Sequence, residues 1–281
     1  MVTRVILLLF LNTVGMALIV VFLGNRLVFY PSRHPEGTWS PEGLGNRFHD
    51  VTFSTDDGCQ LHGWWLPADA PETLLWCHGN SGNITHRLDL FQKLTSLDVR
   101  ILLFDYRGYG KSEGLPDEEG LYRDARAAYR FLTDTKNISP DDLYLFGRSL
   151  GGAVATKLAT EVNTGGLILE STFTSIPEMS GASMPIPYLY LLLRTKMDSL
   201  SRIHQVEAPA LHMHGQQDEV IPISLGRRLF ERSSDPKAWV EFPEAGHDNV
   251  HDSDPARYRE AMQCLIKHDA DFARLSPADD A

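Results

Sequence analysis

The chain has 281 residues, 43% hydrophobic and 22% charged, with a formal net charge of −11. That composition fits one large α/β domain with a sizeable core, and its acidity argues against a nucleic-acid partner, which would need clustered Lys and Arg to displace counterions. The three cysteines, Cys59, Cys77 and Cys264, cannot all pair internally and have no C-x-x-C spacing; they read as small buried hydrophobes rather than a metal or redox site.

From the N-terminus, Val5 to Leu23 is an almost unbroken apolar run, interrupted mainly by Asn12, Thr13 and Gly15. At about 19 residues it is long enough for one helix to cross a hydrocarbon core. A cleaved secretory signal would have an apolar part of about 7–15 residues and a small-x-small site, whereas Val20-Val-Phe-Leu-Gly-Asn-Arg26 stands here. Residues 1–26 are therefore expected to be a retained single-pass transmembrane anchor, with the membrane as a partner and the location of the protein. Phe29 and Tyr30 suit an aromatic interface belt or the first contacts of a globular domain. Arg4 and the terminal amine stand on one side of the run, Arg26 and Arg33 on the other, so orientation is barely specified. The Pro- and Gly-punctuated stretch from Pro31 to Gly43 marks residues 27–46 as a tether. A single large α/β domain is expected over 47–270, and 271–281 is a polar tail.

Within the domain, short apolar or alternating runs predict strands near 48–54, 60–66, 73–77, 100–104, 142–146, 166–170, 208–213 and 238–242. Helical periodicity predicts helices near 84–97, 118–135, 150–162, 223–232 and 254–268, with another inside 187–200. Alternation of the two implies crossover connections and a mainly parallel sheet, opened by an antiparallel hairpin through Thr55-Asp-Asp-Gly58.

Gly147-Arg-Ser-Leu-Gly151 follows the apolar run Leu143-Tyr-Leu-Phe146 and opens an alanine-rich helical stretch. A strand turning sharply into a helix leaves the central serine on a tight bend with its hydroxyl in the open. A serine hydroxyl needs a base to take its proton, and an imidazole base needs a third group to orient it. Asp218, in the turn after Leu211-His-Met-His-Gly215, is placed for the acid, and His247, in the loop after Trp239-Val-Glu-Phe242, for the base. The order Ser149, Asp218, His247 is that of one serine-hydrolase design and differs from two others. Backbone N–H donors for an oxyanion are expected from Leu150 and from the glycine-rich turn after Leu74-Leu-Trp-Cys77, where Asn80 is the choice and Ser81 the alternative.

His78-Gly-Asn-Ser-Gly-Asn83, Phe104-Asp-Tyr-Arg-Gly-Tyr-Gly-Lys-Ser-Glu-Gly114, Gly147-Arg-Ser-Leu-Gly-Gly152, His214-Gly-Gln-Gln-Asp-Glu-Val-Ile-Pro222 and Ala245-Gly-His247 together resemble the α/β-hydrolase superfamily. More narrowly they resemble the Bem46/ABHD-type serine hydrolases, which often carry an N-terminal membrane segment. The resemblance spans roughly residues 27 to 268. It implies an α/β-hydrolase fold, with a mainly parallel eight-stranded sheet, helices on both faces and a short cap, and it implies acyl hydrolysis without naming a substrate.

The connection from 171 to 207 is too short for a separate lid domain. Its apolar centre, Met184 to Leu193, reads either as a core-packing helix or as a wall for an acyl chain. The expected reaction is hydrolysis of an ester or thioester of a small or lipid-like acyl substrate through an acyl-enzyme, with no cofactor or metal. A peptidase of the same fold is the alternative, and a membrane-tethered binding protein without catalysis a further one. His212 with His214, and His247 with His251, have spacings that two metal ligands can share, but no third ligand is spaced for zinc. His78 reads as structural, and Asp105 and Arg107 as braces beneath the site.

Overall fold

The computed structural model describes residues 28–39, 48–181, 194–269 and 272–276, with Arg4, Asn12 and Gly15. Apart from those last two, the apolar run 5–23 lies outside the described residues, as does the cap segment 182–193. Among the described residues no helix is long and apolar enough to cross a membrane.

Eight strands form one sheet: β1 His49–Ser54, β2 Gln60–Leu66, β3 Thr73–Cys77, β4 Arg100–Phe104, β5 Leu143–Arg148, β6 Gly166–Glu170, β7 Ala210–Gly215 and β8 Lys237–Phe242. Their spatial order is β8-β7-β6-β5-β3-β4-β2-β1. β2 runs antiparallel to both β1 and β4, and the remaining pairings are parallel. The central strands are continuous apolar runs because both faces of a parallel sheet are covered.

Successive side chains of a strand point to opposite faces, and the two faces build two cores. Leu75 and Cys77 of β3, Leu102 and Phe104 of β4, and Leu145 of β5 join one core with α2 Glu118–Arg130, α3 Leu150–Ala159 and α5 Ile223–Arg232. Leu74, Trp76, Ile101, Leu103, Tyr144 and Phe146 join the other with α1 Leu88–Leu94 and α7 Pro255–Ile266. Trp64, Trp76, Phe91 and Phe146 are fully enclosed, each contributing about 1.5–3 kcal/mol through burial. Two shorter helices, α4 Ile176–Gly181 and α6 Val250–Ser253, lie in loops at the end of the sheet that carries the site. Helix starts are chemically marked. Asp117 caps α2 by accepting from the Gly120 N–H at 2.8 Å, and Asp254 caps α7 by accepting from Arg257 at 3.1 Å.

Four differences from the expected boundaries have physical causes. β5 continues through Gly147 and Arg148 because these residues pair with Leu169 and Glu170 of β6, so tertiary pairing overrides weak strand propensity. Residues 28–39, expected within a tether, lie on the domain: Val28 and Phe29 are buried, and Tyr30–Pro31 pair with Ser81–Gly82. Phe272 of the expected polar tail is also buried, and Ser276 Oγ accepts from the Trp239 N–H of edge strand β8 at 2.9 Å. Residues 194–200, at the end of the expected 187–200 helix, are irregular, and the rest of that span is mostly outside the described residues.

The chain leaves β3 for β4 on one side, while β5 lies on the other, so the connections part above β3. A crevice at the carboxyl ends of the strands belongs at such a reversal. Here α3 lies very close to the sheet: a Cβ on Gly151 would stand 1.9 Å from the Cys77 carbonyl oxygen, and one on Gly147 2.5 Å from the Gly151 carbonyl oxygen. Gly151→Ala is expected to cost about 2–4 kcal/mol in urea unfolding through overpacking. Gly246→Ala, where the nearest atom is 3.6 Å from the added carbon, should change stability by less than about 0.5 kcal/mol. Equal effects of the two substitutions would refute this account of the packing.

Candidate active site

Ser149 joins β5 to α3 at φ 54° and ψ −122°, a conformation that costs a non-glycine residue on the order of 1–3 kcal/mol. Neighbours on both sides hold it there. Its N–H donates to the Glu170 carbonyl at 2.9 Å, and its own carbonyl accepts from the Gly152 N–H at 2.9 Å and from the Thr172 hydroxyl at 2.8 Å. With its backbone so anchored, the Ser149 hydroxyl points at the loop after β8. His247 Nε2 lies 3.1 Å from Ser149 Oγ, and His247 Nδ1 lies 2.8 Å from Asp218 Oδ2. With Nδ1–H donating to the carboxylate, Nε2 is the free acceptor facing the hydroxyl.

Asp218 and His247 come from adjacent loops that are laced together: Gln216 N–H donates to the Phe242 carbonyl at 3.0 Å and Gln217 N–H to that of Ala245 at 2.9 Å. Asp218 is enclosed beneath His247, and its Oδ1 accepts from the Val220 and Ile221 N–H groups at 2.9 and 2.8 Å. Burial by itself raises this carboxyl, but His214, His247 and the Ile221 N–H outweigh burial and hold it well below the usual carboxylate range. His214 Nε2 lies 3.3 Å from Asp218 Oδ2 and donates to the Ile221 carbonyl at 3.0 Å, so it steadies the Asp218 turn.

The loop after β3 abuts the serine, a Cβ on Gly79 being 3.4 Å from that of Ser149. The backbone N–H groups of Asn80 and Leu150 find no acceptor among the described residues. The Asn80 side chain faces the other way: Nδ2 donates to the Val28 carbonyl at 2.5 Å, and Oδ1 accepts from Tyr30 N–H at 3.3 Å and Tyr109 hydroxyl at 3.2 Å. Ser81, the alternative donor, is paired with Tyr30. Ser149, Leu150, Asn80, Ser81 and His247 border one cavity of about 340 Å³ whose apolar wall includes Phe173, Ile176 and Met179. A shallower depression of about 850 Å³ over Glu178, Asp198 and Arg228 contains none of these groups.

Other candidates fall to structural roles. Burial drives His78 down to about 3, a neutral ring whose Nδ1 donates to the Gly79 carbonyl at 2.7 Å. Burial does the same to His212, which meets the Ser233 hydroxyl at 2.9 Å. His251 joins Asp89 and Asp252 rather than His247, and the Lys93 ammonium already bridges those two carboxylates. Asp105 accepts from the Ile84 N–H at 2.9 Å, while Arg107 turns to Asp57 and Asp124.

Arg148, given no role from the sequence, ties the serine strand to the histidine loop. It pairs with Glu170 at 2.9 Å and donates to the His247 carbonyl at 2.9 Å and to Asp248 at 3.1 Å. Glu170 in turn accepts from Tyr258 at 2.7 Å. Arg87, Val28 and Tyr30 also border the cavity. The one signal for Arg148 was a long cation inside the G-x-S-x-G pentapeptide.

A doubly wound sheet with a strained serine between β5 and α3 defines the class of α/β hydrolases. The family described as Hydrolase_4, serine aminopeptidase S33, matches residues 68–194. The chain is 38% identical over 228 residues to an uncharacterised Mycobacterium tuberculosis protein, covering 80% of each chain. It is 31% identical over 243 residues to protein bem46 of Schizosaccharomyces pombe, covering 80% of this chain and 81% of the relative. It is 32% identical over 259 residues to the α/β hydrolase domain-containing protein WAV2 of Arabidopsis thaliana, covering 83% of both. The Pyrococcus furiosus esterase Pf2001 superposes with a TM-score of 0.73 at 20% identity, over 86% of this chain and 98% of that one. The chain therefore belongs to the α/β-hydrolase family as a Bem46-like member, and it is a hydrolase.

Because the folded Asp218 carboxyl lies below its unfolded value, it contributes stability that is present above about pH 4 and lost as pH falls. In denaturant titrations the advantage of the parent over Asp218→Asn should shrink as pH falls below about 4. A gap that stays constant down to about pH 2.5 would show that the carboxylate is not held ionised by its neighbours.

Proposed function

We propose that this chain is a membrane-anchored serine hydrolase that cleaves an ester or thioester bond of an acyl substrate. The hydrogen-bonded series Ser149, His247, Asp218 carries this reading. Ser149 Oγ attacks the carbonyl carbon as His247 Nε2 takes its proton. Asp218 keeps the proton on Nδ1 and steadies the imidazolium. The N–H groups of Asn80 and Leu150 stabilise the oxyanion, each such donor being worth on the order of 10²–10³ in turnover. The imidazolium then protonates the leaving alcohol or thiol, and an acyl-Ser149 remains. Water, deprotonated by the same histidine, attacks that ester and restores the serine.

The membrane part of the reading rests on the apolar run 5–23 and on the short distance from its end to the site. Val28 and Tyr30 border the cavity, and residues 24–27 reach at most about 3.6 Å each. An anchor ending at Leu23 thus keeps the mouth of the site near the bilayer surface, which suits a lipid-like substrate. The esterase relatives of the same fold favour an ester; the serine aminopeptidase description of the matched family favours the second reading, a peptidase of the same design.

Ser149→Ala should lower p-nitrophenyl butyrate hydrolysis by about 10⁴-fold or more and abolish fluorophosphonate labelling, with the thermal midpoint preserved. Parental turnover in that variant would overturn the assignment. Faster cleavage of aminoacyl amides than of acyl esters and thioesters by the parent would transfer the reading to the peptidase.

A further inference from the structure

Two guanidinium groups, Arg87 and Arg148, border the cavity over Ser149. Arg148 is balanced by Glu170 at 2.9 Å and Asp248 at 3.1 Å. Arg87 is not. Its Nη2 donates to the carbonyls of Gly79, at 3.3 Å, and Ser81, and no carboxylate of the described residues is hydrogen-bonded to it. Its Nε is buried with no hydrogen-bond partner among the described residues. Burial and then the neighbouring charge of Arg148 push this guanidinium down to about 10, and Asp248, itself 85% exposed, leads the acids that oppose them. Two carbonyls occupy only part of a five-donor group, and a neutral amide would satisfy them without desolvating a charge. A cation kept at that cost on the wall of a cleft recovers it when an anion binds, since charge-assisted pairs with carboxylate and phosphate are the strong ones and arginine matches both.

Space for such an anion exists. Arg87 borders the Ser149 cavity beside Arg148 and the exposed Asp248; an adjoining cavity of about 500 Å³ is lined by Arg87, Arg148 and His86 but also by Asp89, Asp248 and Asp252, which places the anion on the Ser149 side. Phe173, Ile176 and Met179 supply an apolar wall of the Ser149 cavity, so that cavity, with Arg87 on its rim, suits an amphiphile with a charged part and a hydrocarbon part.

We propose that Arg87 forms an anion subsite, which binds a phosphate or carboxylate carried by the substrate outside the bond that is cut. The subsite deepens the hydrolase reading of Ser149 and rests on it. It binds the substrate's anion before and during acyl transfer and takes no part in proton movement.

The test compares kcat/KM within two matched pairs of probes: 1-oleoyl-lysophosphatidate against 1-oleoylglycerol, and mono-4-nitrophenyl glutarate against 4-nitrophenyl valerate. The parent should favour the anionic member of at least one pair by about tenfold or more, and the pair that responds identifies phosphate or carboxylate. Arg87→Gln should erase that ratio and Arg87→Lys should keep part of it. Any disturbance of the Gly79–Ser81 turn by these substitutions affects both members of a pair and cancels in the ratio. No anionic preference in either pair, or a preference that survives Arg87→Gln, overturns the subsite. Calorimetry of inorganic phosphate and of glutarate with Ser149→Ala separates this from the hydrolase reading. Binding that is lost when Arg87→Gln is added supports the subsite even if the parent cleaves no ester; ester cleavage without anion binding or preference removes the subsite and leaves the hydrolase.

Discussion

The contact of α3 with the end of β3 is the constraint on which the site depends. Backbone meets backbone there, with Gly151 against the Cys77 carbonyl and Gly147 against the first turn of the helix. That closeness brings the N–H of Leu150 beside the turn that carries Asn80, and it forces the chain through Ser149 at positive φ. The strain is local, whereas the interactions that sustain it are distributed: continuous apolar strands, α3 in the core beneath them, and hydrogen bonds joining the serine backbone to Glu170 of β6 and to Thr172 just beyond it. A hydroxyl can then stand exposed without being mobile.

Charge makes the second connection. Arg148 leaves the serine strand and binds Glu170 of β6, the His247 carbonyl and Asp248 at once. Loops after β5 and β8 are thereby fixed in relation to each other, while Gln216 and Gln217 fix the loop after β7 to that after β8. The order Ser149–His247–Asp218 is therefore supported from outside the three residues. Pairing of a largely enclosed arginine with a fully enclosed Glu170 contributes more to geometry than to stability, since desolvation offsets much of the attraction.

Much of this was legible in the chain. The eight strands announce themselves because a buried parallel sheet needs apolar runs of strand length, and Ser149, Asp218 and His247 because each stands within a few residues of such a run and close to a glycine. Boundaries slipped where pairing decided them, as at Gly147 and Arg148 of β5. Arg87, Arg148 and Glu170 were silent, because no local pattern distinguishes a charged residue that will be enclosed from one that will be solvated. Only the assembled fold reveals that Arg87 is hydrogen-bonded to carbonyls and, among the described residues, to no carboxylate. Val28 to Pro31 misled for a related reason: proline and glycine nearby spell a connection, but they say nothing about the surface on which a connection is laid.

That surface is the back of the turn that carries Asn80. The Asn80 side chain is held by the Val28 carbonyl, the Tyr30 N–H and the Tyr109 hydroxyl, while Tyr30 and Pro31 run beside Ser81 and Gly82 as a short parallel pair. Asn83 extends the same seam by donating to the carbonyls of Ser32 and Glu36 at 3.1 and 2.9 Å. A turn of glycine, asparagine and serine is too permissive to hold its N–H groups in place unaided. The segment just beyond the apolar N-terminal run supplies the missing rigidity. Attachment to the N-terminal segment and ordering of the turn proposed to hold the oxyanion are thus the same set of hydrogen bonds, so movement of that segment would be felt directly at Asn80.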